Sequence, residues 1–76
     1  MSITVYTITD ETGRECGNCT ATKKAMDRQR ITYQVKEMTE MERDIFRQAG
    51  HMAAPVVVTD SDSWSGFRPD RILTLK

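Results

Sequence analysis

The sequence predicts an α/β sandwich: a four-stranded mixed sheet with helices on both faces, its elements in the order βαβαββα. Three observations lead there. Short β-branched or aromatic runs alternate with stretches of helical period, the pattern of strand–helix units rather than of an all-helical or all-strand domain. The first run, Ile3-Thr4-Val5-Tyr6-Thr7-Ile8, carries apolar residues on both faces, as a strand covered on two sides requires. The last two strand candidates are separated only by a turn, which forces an antiparallel hairpin, whereas the strand–helix–strand opening implies a right-handed parallel unit.

Each element has a local reason. Asp10 to Glu15 is polar, contains Gly13 and shows no period, so it reads as a loop. From Gly17 to Arg30, Cys19, Ala21, Thr22, Ala25 and Met26 form one stripe at helical spacing, with Lys23, Lys24, Asp27 and Arg28 turned to water. Ile31 to Lys36 alternates strictly and places Ile31, Tyr33 and Val35 on one face of a strand. Thr39-Glu40-Met41-Glu42 is a capping-box signature. Met41, Ile45, Phe46 and Ala49 follow it as an apolar stripe expected to join the core, and Gly50 is a natural helix stop. Val56-Val57-Val58 reads as a short buried strand, Asp60-Ser61-Asp62 as a turn, and Ser63 to Ser65 as an edge strand centred on Trp64. Pro69 suits the first turn of a last helix, where its missing N–H costs nothing, and Ile72, Leu73 and Leu75 supply its apolar side.

Seventy-six residues suit a single domain over 1–76. Lys plus Arg and Asp plus Glu number eleven each, so the formal net charge is zero. A binder of nucleic acid carries a basic excess to displace counterions, and this chain has none. No apolar run approaches the roughly 18 residues of a membrane span, and no basic-then-apolar leader opens the chain. A monomer in the cytoplasm, with neither nucleic acid nor membrane as partner, is the expectation.

The chemistry concentrates in Cys16-Gly17-Asn18-Cys19, the only two cysteines of the chain. A disulfide between residues three apart closes a trivial loop, so the pair is poor as a staple and good as a redox couple. At a helix N-terminus the free amides and the dipole favour negative charge, so Cys16 is expected to ionise below the ordinary thiol value of about 8.5. Cys19, one turn further in, is expected to be more buried. An exposed thiolate attacks a substrate disulfide, and the second thiol releases the resulting mixed disulfide. Zinc is the other common use of this spacing, but a structural site wants four ligands and His51 is the one remaining soft ligand. His51 is read as a loop-lip residue, and no metal or bound cofactor is expected beyond the redox-active Cys16–Cys19 pair. Pro55 is either an ordinary trans proline opening a strand or a cis proline presenting the backbone of Ala54 beside the thiols. Trp64 and Phe67 around Gly66 form either a packed corner or an exposed docking patch.

Taken together, Ser2 to Thr7, Cys16-x-x-Cys19-x-Ala21-Thr22-Lys23-Lys24-Ala25, Ala54-Pro55-Val56-Val57-Val58 and Trp64-Ser65-Gly66-Phe67-Arg68-Pro69-Asp70-Arg71-Ile72 resemble the NrdH-type glutaredoxin-like redoxins. The resemblance runs the whole chain in matching order, and the run from Trp64 to Asp70 is its most specific part. It implies a thioredoxin fold, a cis proline beside the dithiol, and a dithiol–disulfide oxidoreductase that donates electrons to class Ib ribonucleotide reductase and is recycled by thioredoxin reductase. Cys16 is then the nucleophile and Cys19 the resolving thiol, with Gly17, Asn18, Ala54, Pro55, Trp64, Gly66, Phe67 and Arg68 as the partner-binding set. The alternatives are a glutathione-dependent glutaredoxin, a thioredoxin-fold binding module with a vestigial dithiol, and a cluster carrier bridged by two subunits. Three features depart from the family pattern: a longer loop before Cys16, the Gly17-Asn18 pair between the cysteines, and Ser65 to Asp70 where glutaredoxins carry the Gly-Gly…Asp motif that grips glutathione.

Overall fold

The computed structural model describes residues 2–9, 12–51 and 53–75, so Asp10 and Glu11 of the expected loop lie outside the described residues. The elements are β1 (Thr4–Thr7), α1 (Gly17–Arg28), β2 (Gln34–Glu37), α2 (Glu40–Gln48), β3 (Val56–Val58), β4 (Ser63–Ser65) and α3 (Pro69–Leu73), in the expected order. They form one four-stranded sheet, β2-β1-β3-β4. The β1–β2 pair is parallel, as a strand–helix–strand crossover demands, and the β1–β3 and β3–β4 pairs are antiparallel.

Alternation along β1 separates two layers. Val5 and Thr7 point to the main core, where Ile3, Val5, Met26, Val57, Trp64 and Ile72 pack together, joining the sheet to α1 and α3. Tyr6 points to the other face and meets Phe46 of α2 edge-to-face, ring centroids 5.0 Å apart. Tyr33 ties the approach to β2 onto α1, its hydroxyl donating to Asp27 Oδ1 at 2.9 Å. Burial, with help from Asp27, pushes that phenol up to about 12.

Three local expectations change. First, α1 ends at Arg28 rather than Arg30, because Arg30 takes a left-handed φ of 57°. The Ile31 amide then donates back to Met26 O at 3.0 Å and that of Arg30 to Asp27 O at 3.0 Å, a Schellman closure made without glycine. Second, this turn delays β2 to Gln34. Ile31 and Tyr33 still pack on the core, but Val35, on the sheet's outer strand, stays 47 % exposed. Third, the stripe of α2 is not core. Met41 is 74 % and Ile45 56 % exposed, and Phe46 alone of the pair Ile45–Phe46 turns in to the sheet. The reason lies in the opposing surface. In register with Thr4 and Tyr6, β2 sets Gln34 and Lys36 on that face, so the sheet offers α2 only a narrow apolar strip around Tyr6 and Val56.

The ends of α2 follow the sequence closely. The Thr39 hydroxyl accepts from the Glu42 amide at 3.1 Å while the Glu42 carboxylate accepts from the Thr39 amide at 3.0 Å. At the other end Gly50, at φ 95°, supports a Schellman motif in which the His51 amide reaches Phe46 O at 2.8 Å. Because α2 has little burial to fall back on, its cap matters: Thr39→Ala should lower stability by about 1 kcal/mol in urea unfolding. An unchanged midpoint would show the box to be dispensable.

Candidate functional site

The dithiol is built by the start of α1. Cys16 is the N-cap, with extended backbone, and its Sγ accepts from the Cys19 amide at 3.3 Å. The Cys16 amide donates to Ile8 O at 3.3 Å and Thr9 forms an antiparallel bridge with Glu15, which holds the start of α1 to the end of β1. One helical turn on, Cys19 is wholly buried, whereas Cys16 is only half-buried. Both are free thiols, with sulfurs 2.9 Å apart. Burial, and then the hydrogen bond with Cys16, pushes the Cys19 thiol up to about 12, against a lowering backbone contact with Ile8.

The expected proline turn faces this pair. The Ala54–Pro55 bond is cis, and the Ala54 carbonyl oxygen lies 4.0 Å from Cys16 Sγ. Pro55 is itself buried under the strand, and its carbonyl accepts from the Gly66 amide at 2.8 Å. Gly66 sits at φ 77°, and a Cβ there would stand 3.7 Å from that of Ala53, so backbone conformation rather than space selects glycine. The structure thus joins Cys16, Cys19, Ala54, Pro55 and Gly66 in one cluster, with Gly17 and Asn18 exposed on the first turn of α1.

The aromatic corner divides. Trp64 is 4 % exposed and belongs to the core, so the docking-patch reading of its ring gives way to packing; its Nε1 is buried with no hydrogen-bond partner. Phe67, 39 % exposed, lines a cleft with Ala25, Arg28 and Leu73. Arg68 pairs with Asp70 through Nε at 3.3 Å and Nη2 at 3.1 Å, the within-corner pairing, and holds that carboxyl below its ordinary range. His51 sits at the lip, its ring edge-on to Phe46 and its Nε2 3.3 Å from the Ser63 hydroxyl.

Two contributors escaped the sequence reading. Lys23, expected to face water, reaches back to Glu15 at 2.8 Å, and Thr20 donates to the other oxygen of that carboxylate at 3.1 Å. The pair locks the residue ahead of Cys16 onto α1; an acid just before a helix start, with a lysine two turns in, was the available signal. The second is Arg43, which lines an open groove of about 860 Å³ together with Ile8, Arg14, Glu15 and Cys16. Nothing in the linear pattern sets a residue of α2 beside a residue of α1.

This geometry predicts an alkylation order. Iodoacetamide should modify Cys16 first in the reduced protein. Because desolvation penalises its thiolate, Cys19 should stay unreacted until the pH climbs towards about 12, well above the ordinary thiol value. Mass mapping that found Cys19 labelled first would reverse the order.

Comparison with known proteins agrees with this arrangement. The glutaredoxin family model matches residues 3–64. The chain is 39 % identical over 77 aligned residues to the glutaredoxin-like protein NrdH of Escherichia coli K12, covering 95 % of this chain and 85 % of that protein. The NrdH of Salmonella typhimurium is 38 % identical over 74, with the same coverage. Among solved structures, the NrdH-redoxin of Escherichia coli superposes with a TM-score of 0.86 at 36 % identity, over 100 % of this chain and 96 % of that one. The glutaredoxin grx-1 of Archaeoglobus fulgidus does so at 0.67 and 17 %, over 97 % of this chain and 84 % of that one, which speaks to the fold alone. With a thioredoxin fold and a Cys-x-x-Cys pair at the start of its first helix, the chain belongs to the glutaredoxin family as an NrdH-like redox protein of the thioredoxin superfamily.

Proposed function

We propose that the protein is a cytoplasmic dithiol–disulfide oxidoreductase that donates electrons to class Ib ribonucleotide reductase and is recharged by thioredoxin reductase, working as a monomer without a bound cofactor. One observation carries the reading: a half-exposed sulfur caps α1 beside the Ala54 carbonyl, with a second, fully buried sulfur 2.9 Å behind it. Cys16 attacks a substrate disulfide as thiolate, forming a Cys16–substrate disulfide and expelling one substrate thiolate, which takes a proton. Cys19, once deprotonated, attacks Cys16 Sγ, forming the Cys16–Cys19 disulfide and expelling the second substrate sulfur. Two electrons and two protons pass from the dithiol to the substrate. The raised pKa of Cys19 keeps it protonated until the first step has consumed the Cys16 thiol. That order suppresses competition between the two sulfurs.

Similarity to the NrdH proteins supports the choice of partners, as does the thioredoxin-like activity profile ascribed to the Escherichia coli NrdH-redoxin. Engagement of the Asp70 carboxylate by Arg68, where glutaredoxins have their glutathione motif, supports weak use of glutathione. An NADPH-consumption assay tests both points. Rapid turnover of a disulfide substrate is expected with thioredoxin reductase, and little with glutathione and glutathione reductase. The opposite pattern would make the protein a glutathione-dependent glutaredoxin.

A further inference from the structure

Two grooves flank the dithiol and adjoin at Ile8 and Arg43. The larger contains Cys16, and the smaller contains Ala53 and Ala54, the backbone ahead of the cis proline. An extended chain advances about 3.3 Å per residue, so a few residues laid along Ala54 with a sulfur at Cys16 pass from one groove into the other. Such a chain passes Arg43.

Among the described residues, the charged side chains that line this path are mainly basic, although the chain as a whole is neutral. Arg14 and Arg43 line the larger groove, and Arg43 and Arg47 line the smaller. Among the described residues lining either groove, Glu15 is the single carboxylate, and Lys23 already holds it at 2.8 Å. Arg47 makes a long, exposed contact of 3.7 Å to Asp44. The salt bridges found among the described residues do not include Arg43.

We propose that these grooves take an acidic segment of a protein disulfide substrate, with Arg43 as the residue that reads a carboxylate flanking the substrate cysteine. The assignment rests on the dithiol chemistry proposed above and adds to it the class of sequence that is favoured. Arg43 takes no part in the bond changes at sulfur. It raises the local concentration of an acidic disulfide and sets its direction along Ala54, an effect that salt screens.

The test uses two short peptides, each closed by an internal disulfide and identical except that glutamates in one replace lysines in the other beside the cysteines. Pre-reduced protein is mixed with each in a single turnover, so no external reductant is needed, and the rate of peptide reduction is followed by quenched chromatography. The acidic peptide should be reduced about three- to tenfold faster at low salt, with the ratio falling towards unity at high salt. Arg43→Glu should bring the ratio to unity or below, and Arg43→Lys should keep most of it. Taking the ratio within one protein cancels any general change in thiol reactivity or folding. Equal rates for the two peptides in the wild-type protein, or a ratio unaltered in Arg43→Glu, would overturn the proposal while leaving the dithiol chemistry standing. Failure to reduce either peptide would remove both.

Discussion

Cys16→Ser should reduce disulfide turnover to the uncatalysed background, because a serine hydroxyl has no thiolate form with which to open the substrate disulfide. Cys19→Ser should behave differently. Its Cys16 remains at the mouth of the site beside Ala54, so it should still attack once and then stall as a mixed disulfide that dithiothreitol releases. Intact-mass measurement separates the two: a substrate adduct should build up on Cys19→Ser and be absent from Cys16→Ser. The reverse pattern would exchange the roles of the two sulfurs. Cys19 is wholly buried, so the serine hydroxyl there should cost about 1–3 kcal/mol, and a thermal melt of the variant accompanies the mass measurement. The expected adduct on Cys19→Ser would assign turnover to the buried sulfur and attack to the half-exposed one, a division expected from their depth along one helical turn.

Met26→Ala should be the most damaging single change to the fold. Met26 is fully buried at the centre of the cluster that joins α1 to Val5, Val57, Trp64 and Ile72. Deleting its side chain leaves a cavity between elements that small helices cannot easily close, at a cost of about 2–5 kcal/mol. For a domain of this size that is a fall of at least roughly 8 °C in Tm, and a large share of a total stability on the order of 5–15 kcal/mol. Met26→Leu, which nearly conserves volume, should cost less than about 1.5 kcal/mol. Calorimetry of the pair decides the matter. A Met26→Ala protein that melts with the wild type would mean that the core does not depend on this contact. The dithiol shares the fate of this packing, since Cys19 and Met26 lie on the same buried stripe of α1.

The succession of strands and helices along the chain and the redox pair were legible because each depends on residues close in sequence. Thr39 and Glu42 cap their helix across three positions, Gly50 closes it, and the three valines form a strand by composition alone. The Cys16–Cys19 spacing likewise carries its chemistry within one turn. What the linear pattern could not decide was which apolar stripes meet an apolar partner. Period identifies the face of a helix that prefers burial, but burial also needs an opposing surface, and the one beneath α2 is set by the register of β2 against β1. Polar Gln34 and Lys36 fall there, so Met41 and Ile45 remain in solvent although their spacing matches that of the buried stripe on α1. Trp64 shows the converse, a residue equally suited to docking or packing that the β3–β4 pairing carries into the core beside Val57. Arg43 owes its place on the groove that also holds Cys16 to the same cause. Contacts between segments far apart in the chain depend on strand register and layer packing, and no local preference of either segment encodes them.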